Sequence, residues 1–130
     1  MADLLVVDDD PDTAEALGEI LRMNGHDVRI AFNGEQGLKL VDERAPEVAL
    51  LDIEMPILDG PGMAAAMFAR DAGLEKVPIV LLSGVQDLPV VAARIGTPYF
   101  LCKPYTFETL RKTLARVLVE RMPPQPTNLA

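Results

Sequence analysis

A chain of 130 residues that is 49% hydrophobic fits one domain of ordinary size, with enough apolar material for its own core and no need of a metal or disulfide to fold. Twenty acids against twelve Lys and Arg give a formal net charge of −8 and a sequence pI near 4.5, which argues against direct nucleic-acid binding by this domain. The lone Cys102 cannot form an internal disulfide, and the apolar stretches are strand-length with no signal peptide pattern, so no membrane span and a cytoplasmic location are expected.

Apolar runs of strand length alternate with segments of helical period, the pattern of βα units that build a parallel sheet. The first strand, Leu4–Val7, ends in Asp8-Asp9-Asp10. A helix then starts with Asp10 as N-cap and Pro11 at its first position, stops at Gly25 after Asn24, and turns Ala14, Leu17 and Leu21 to the sheet. Val28–Phe32 follows as a strand that Arg29 marks as an edge, then a helix from Glu35 to Glu43 closed by Pro46. The third strand, Val48–Leu51, delivers Asp52 to a Met-Pro turn. The helix after it runs from Pro61 to Ala72 before Gly73, with Met63, Ala64 and Met67 at core spacing.

Ile79–Leu82 is the fourth strand and leads into Ser83-Gly84. The next helix is short, lying between Val85 and Gly96, with Asp87 as cap and Pro89 in the first turn, where a missing N–H costs little. Tyr99–Cys102 is the fifth strand, in which Cys102 reads as buried packing, and it runs into Lys103-Pro104. A last helix from Thr106 to Arg121 places Phe107, Leu110, Leu114, Val117 and Leu118 on one stripe. The expected fold is α/β, a doubly wound five-stranded parallel sheet over residues 1–121, followed at 122–130 by a poorly ordered Pro-rich tail or the start of a linker.

In a parallel sheet the C-terminal strand ends share one edge, where open α/β folds keep their ligand sites. Here that edge collects the acids after the first strand, Asp52 after the third and Lys103 after the fifth. Asp52, alone at the end of an apolar strand, is the candidate reacting group. A carboxylate can accept a phosphoryl group if the donor's charge is neutralised, because that transfer needs positioning and electrostatics more than covalent machinery. Converging carboxylates repel and raise one another's pKa unless a cation joins them, and Mg2+, hard and oxygen-seeking, suits such a set. Lys103 offers a positive point charge to a phosphoryl oxygen, Ser83 a hydroxyl donor, and Gly84 leaves room for the phosphate. Asp10 and Asp12 read as a cap and a first-turn acid favoured by the helix dipole, and Asp59-Gly60 as turn chemistry; none is assigned to metal.

From about Leu4 to Val119 the chain resembles the receiver domain of two-component response regulators. The resemblance rests on the acid pair Asp8-Asp9, the Asp-x-x-Met-Pro-x-x-Asp-Gly run from Asp52 to Gly60, Ser83-Gly84, and Lys103-Pro104, all in family order. It implies a flavodoxin-like, CheY-like (βα)5 fold and a phosphorylation-controlled switch that promotes only its own phosphorylation and dephosphorylation. Asp52 is then the phosphoacceptor, with Mg2+ held by Asp8, Asp9, Asp52 and the backbone carbonyl of Glu54, whose side chain lies beside the site. Ser83 and Lys103 sense the phosphoryl group, and Lys103-Pro104 corresponds to the family's cis pair. Phe100 occupies the aromatic switch position, and the surface of the fourth helix, fifth strand and last helix carries the signal. The implied partners are a sensor histidine kinase or histidine phosphotransfer protein, a downstream protein target or separate output domain, and a phosphorylation-dependent homodimer. His26 is not the donor histidine, which the resemblance places on the partner.

Two rival readings remain open. Asp8-x-Asp10 after an apolar strand mimics a haloacid-dehalogenase-type phosphatase, with Ser83 and Lys103 as later motifs, but Thr13 lies one residue too late for that pattern and no second acidic pair follows Lys103. The other rival is a degenerate receiver acting as a phosphorylation-independent interaction module.

Overall fold

A computed structural model of the protein describes residues 2–55, 58–70, 73–84 and 86–125. Its strands are β1 (Asp3–Val7), β2 (Asp27–Ala31), β3 (Val48–Asp52), β4 (Ile79–Ser83) and β5 (Tyr99–Cys102). They form one parallel sheet in the order β2-β1-β3-β4-β5. The helices are α1 (Pro11–Met23), α2 (Gly34–Glu43), α3 (Gly60–Ala69), α4 (Leu88–Ile95) and α5 (Phe107–Glu120). The chain thus adopts the doubly wound, five-stranded parallel α/β fold expected from its βα alternation, in the flavodoxin-like, CheY-like form that the resemblance implies. Among the described residues no helix is long and apolar enough to cross a membrane.

Strand alternation divides the core into two layers. Leu4, Val6, Leu50, Val80, Leu82, Tyr99 and Leu101 pack with Leu17 and Leu21 of α1 and Leu110, Leu114 and Val117 of α5. Their neighbours Leu5, Val7, Leu51, Ile79 and Leu81 face the other way, against Val41 of α2, Met63 and Met67 of α3, and Ala92 and Ile95 of α4. Both faces of β3 and β4 are therefore covered, which is why these strands read as unbroken apolar runs.

Several local expectations need correction. Both β2 and β5 are edges, although only the second strand carries the charge that signals one. Because β5 is an edge, its last residue Cys102 is exposed, not buried. Phe107 is also exposed, since the first position of α5 precedes the part of the stripe that meets the sheet. Helix α3 stops at Ala69, three residues early, and a 3-10 turn at Leu74–Lys76 starts from Gly73 in the left-handed region (φ 86°); Asp71 and Ala72 lie outside the described residues. Asp87 precedes α4 but makes no side-chain cap bond, and its backbone carbonyl receives the N–H groups of Val90 and Val91 instead. The tail is attached as far as Gln125, whose N–H donates to the Gly96 carbonyl at 2.9 Å. Residues 126–130 lie outside the described residues.

Candidate functional site

The same alternation that builds the core aims the polar groups at the C-terminal edge of the sheet. Leu50 faces α1 and α5, so Asp52 two residues on does too; Val6 carries that parity to Asp8, and Leu101 carries it to Lys103. Ser83 follows Leu81 toward the opposite layer, where Phe100 also packs, half-buried. Acids and lysine therefore share one face of the edge. Ser83 and Phe100 share the other, toward the layer that contains α4.

One carboxylate oxygen from each of Asp8, Asp9 and Asp52 lies within 4.8 Å of the others. Asp8 is 2% exposed and Asp52 6%, while Asp9 is open to solvent. Lys103 Nζ stands 3.3 Å from Asp8 Oδ2 and 3.8 Å from Asp52 Oδ2. Asp8 Oδ1 accepts the Asp10 N–H at 3.0 Å, which fixes the carboxylate's orientation. The Asp52 carboxyl is pushed up to about 6, first by burial and then by the charge of Asp8, against the opposing pull of Lys103 and a hydrogen bond from the Glu54 backbone. One ammonium does not offset three clustered acids. The donor set is all hard oxygen with a surplus of negative charge, so the residues present fit a magnesium ion.

The surrounding chain holds these groups in place. The Lys103 N–H donates to the Ser83 carbonyl at 2.9 Å, tying the end of β5 to that of β4, and Ser83 is 2% exposed. The Lys103–Pro104 peptide bond is cis. Gly60 donates to the Ile53 carbonyl at 3.1 Å, and a Cβ there would lie 2.5 Å from the Asp52 carbonyl oxygen, so the loop after β3 closes against Asp52 only with glycine at this position. Asp59 caps α3 through Gly62, as its turn setting suggested. Asp10 caps α1 through the Asp12 N–H and the Thr13 hydroxyl, and the Thr13 bond chiefly holds its carboxyl below the ordinary carboxylate range. The Glu54 side chain is exposed. Pro56 and Ile57 of the signature run lie outside the described residues.

Tyr105 is a residue that motif reasoning passes over. Its half-buried phenol is pushed up by burial first and then by Asp8 and Asp52, so it feels the charge of the site; its only sequence signal is that it follows Lys103-Pro104. It also lines a cavity of about 410 Å3 between α1 and α5 with Thr13, Leu17, Phe107 and Leu110. That apolar groove is separate from the acid cluster.

The chain matches the family model of the response regulator receiver domain over residues 4–115. It is 36% identical to protein PilH of Pseudomonas aeruginosa over 120 residues, covering 91% of this chain and 98% of PilH. To the transcriptional regulatory protein PrrA of Mycobacterium tuberculosis it is 35% identical over 88% of this chain, but it spans only 47% of PrrA. Among solved structures, the Vibrio cholerae chemotaxis protein CheY4 superimposes with a TM-score of 0.83 at 28% identity, covering 91% of this chain and 99% of that one.

Proposed function

The chain belongs to the response regulator receiver domain family, and we propose that it works as a signalling switch by accepting a phosphoryl group on Asp52. The observation that carries this reading is the convergence of Asp8, Asp9 and Asp52 within 4.8 Å, with Lys103 beside them, at the C-terminal edge of the sheet. Two of these carboxylates are buried, and phosphoryl transfer to a carboxylate requires groups that gather and neutralise negative charge.

Asp8, Asp9, Asp52 and the backbone carbonyl of Glu54 would hold the Mg2+ ion, which when bound offsets the charge of the carboxylates and of the incoming phosphoryl group. An Asp52 carboxylate oxygen attacks phosphorus as the bond from phosphorus to the donor nitrogen breaks. The electron pair leaves with the imidazole, which then takes a proton from solvent. With its pKa near 6, Asp52 is mostly ionised at neutral pH and ready as the nucleophile. Lys103 then exchanges its carboxylate partners for a phosphoryl oxygen, and the Ser83 hydroxyl donates to another.

The phosphoryl donor is a sensor histidine kinase or a histidine phosphotransfer protein, as membership of the family suggests. Phe100 packs in the layer that contains α4 and Ser83 follows Leu81 toward the same layer, and this supports output through α4, β5 and α5 to a protein target, an output domain or a second copy of the chain. Incubation with a small phosphodonor, followed by intact mass measurement, tests the proposal. One added phosphoryl group, dependent on a divalent cation, is the expected result; no added mass, or uptake that is equal without the cation, contradicts it.

A further inference from the structure

Past α5 the chain returns to the sheet. Arg121 adopts the left-handed conformation (φ 50°) and pairs with Glu47 at 3.1 Å. The Met122 N–H donates to the Tyr99 phenol oxygen at 3.3 Å, and that phenol in turn donates to Glu120 at 3.0 Å. Pro124 is buried and lines an apolar cavity of about 190 Å3 with Ala64 and Phe68 of α3 and Arg94 and Ile95 of α4. The Gln125 N–H reaches the carbonyl of Gly96, the residue that ends α4. Gly96 is itself left-handed (φ 86°), and a Cβ there would collide with the Gln125 backbone, so the close approach depends on a residue without a side chain.

We propose that residues 122–125 form a strap that holds the C-terminal end of α4 against α3 and thereby opposes displacement of α4 when Asp52 is phosphorylated. The strap starts on the α1 and α5 face and ends on the α3 and α4 face, so it ties the two layers together at the end of the sheet away from the acids. Apart from the strap, helix α4 is held by Leu88, Ala92 and Ile95 in the core; it is eight residues long, carries Pro89 in its first turn and lacks a side-chain cap. Any shift of α4 away from α3 must reshape the cavity that Pro124 lines with Phe68 and Ile95 or break the Gln125 bond. Linkage makes the effect reciprocal, so releasing the strap must tighten binding of a phosphoryl group in proportion to its restraint on α4. This part of the proposal rests on the reading of Asp52 as phosphoacceptor.

The test uses the full chain and three variants. Gln125→Pro removes the N–H donor, Pro124→Asp places a charge in the apolar groove, and Gln125→Ala keeps the donor. Hydrogen exchange is read at the Gly96 and Thr97 amides, both of which donate to the Ala92 carbonyl at the end of α4. Exchange should be faster in the first two variants and unchanged in Gln125→Ala. Affinity for beryllofluoride with magnesium should rise about fivefold in those same two variants, the lower end of typical coupling between sites. Unchanged exchange in both would overturn the strap. Faster exchange with unchanged beryllofluoride affinity would overturn its opposition to phosphorylation. A wild-type chain that binds no beryllofluoride would overturn the Asp52 reading instead, and the exchange rates alone would then decide the strap.

Discussion

The Lys103 ammonium lies 3.3 Å from Asp8 Oδ2, a contact made across 95 residues of chain. Asp52 stands slightly farther from the same nitrogen, at 3.8 Å. The lysine is therefore held mainly by Asp8, a neighbour of the proposed acceptor, while its charge still favours ionisation of Asp52. Replacing Lys103 by Met should move the Asp52 titration upward from about 6. Carboxyl carbon-13 NMR reads this directly, and an unmoved midpoint would mean that the lysine charge is not felt at Asp52.

The raised Asp52 carboxyl also sets a pH dependence. An acid with a raised folded-state pKa binds its proton more readily folded than unfolded, so its ionisation lowers stability. That loss begins near the ordinary value of 3.8 and is complete once the pH passes about 6. Without divalent cation, Asp52→Asn should be more stable than wild type near neutral pH by on the order of 2–3 kcal/mol, with the difference vanishing toward about pH 4. Urea denaturation at both pH values checks it. A variant less stable than wild type at neutral pH would mean that the ionised carboxylate is already well compensated.

Magnesium should remove much of that penalty by joining Asp8, Asp9 and Asp52. At about ten times its dissociation constant it should stabilise the domain by about 1.4 kcal/mol through mass action. Asp9→Asn should weaken the response, and replacing both Asp8 and Asp9 should abolish it. A thermal shift with magnesium that survives the double replacement would place the ion elsewhere.

The layers and the acid edge were legible from the sequence because both follow from strand periodicity: apolar runs such as Val48–Leu51 mark buried strands, and the next residue in each lands on the same edge. What depends on lateral order was less visible. Nothing in Tyr99–Cys102 distinguishes an edge strand from a central one, so the exposure of Cys102 emerges only from the sheet order. The docking of Pro124 depends on a groove shaped by α3 and α4, elements more than twenty residues away in the chain, and composition alone suggested a loose tail. Within the site, the Asp8, Asp52 and Lys103 cluster was readable, whereas the closure of Gly60 against the Asp52 carbonyl required backbone geometry.

Phe100 and Ser83 face the layer that contains α4. Phe100 has no hydroxyl, so coupling through it must work by packing, between states separated by only a few kcal/mol. Beryllofluoride with magnesium should shift the amide resonances of Phe100 and of Val90 to Ile95 as well as those around the acids. If changes stay confined to the loops near Asp8, Asp52 and Lys103, this surface does not carry the signal.

Locating the phosphoryl group on the chain decides whether Asp52 is the acceptor. After incubation with a small phosphodonor and magnesium, borohydride reduction converts an aspartyl phosphate to homoserine, and peptide mapping then finds the modified position. The conversion should occur at residue 52, and Asp52→Ala should take up no phosphoryl group. Homoserine at position 8 or 9, or undiminished uptake by Asp52→Ala, would mean that Asp52 is not the acceptor.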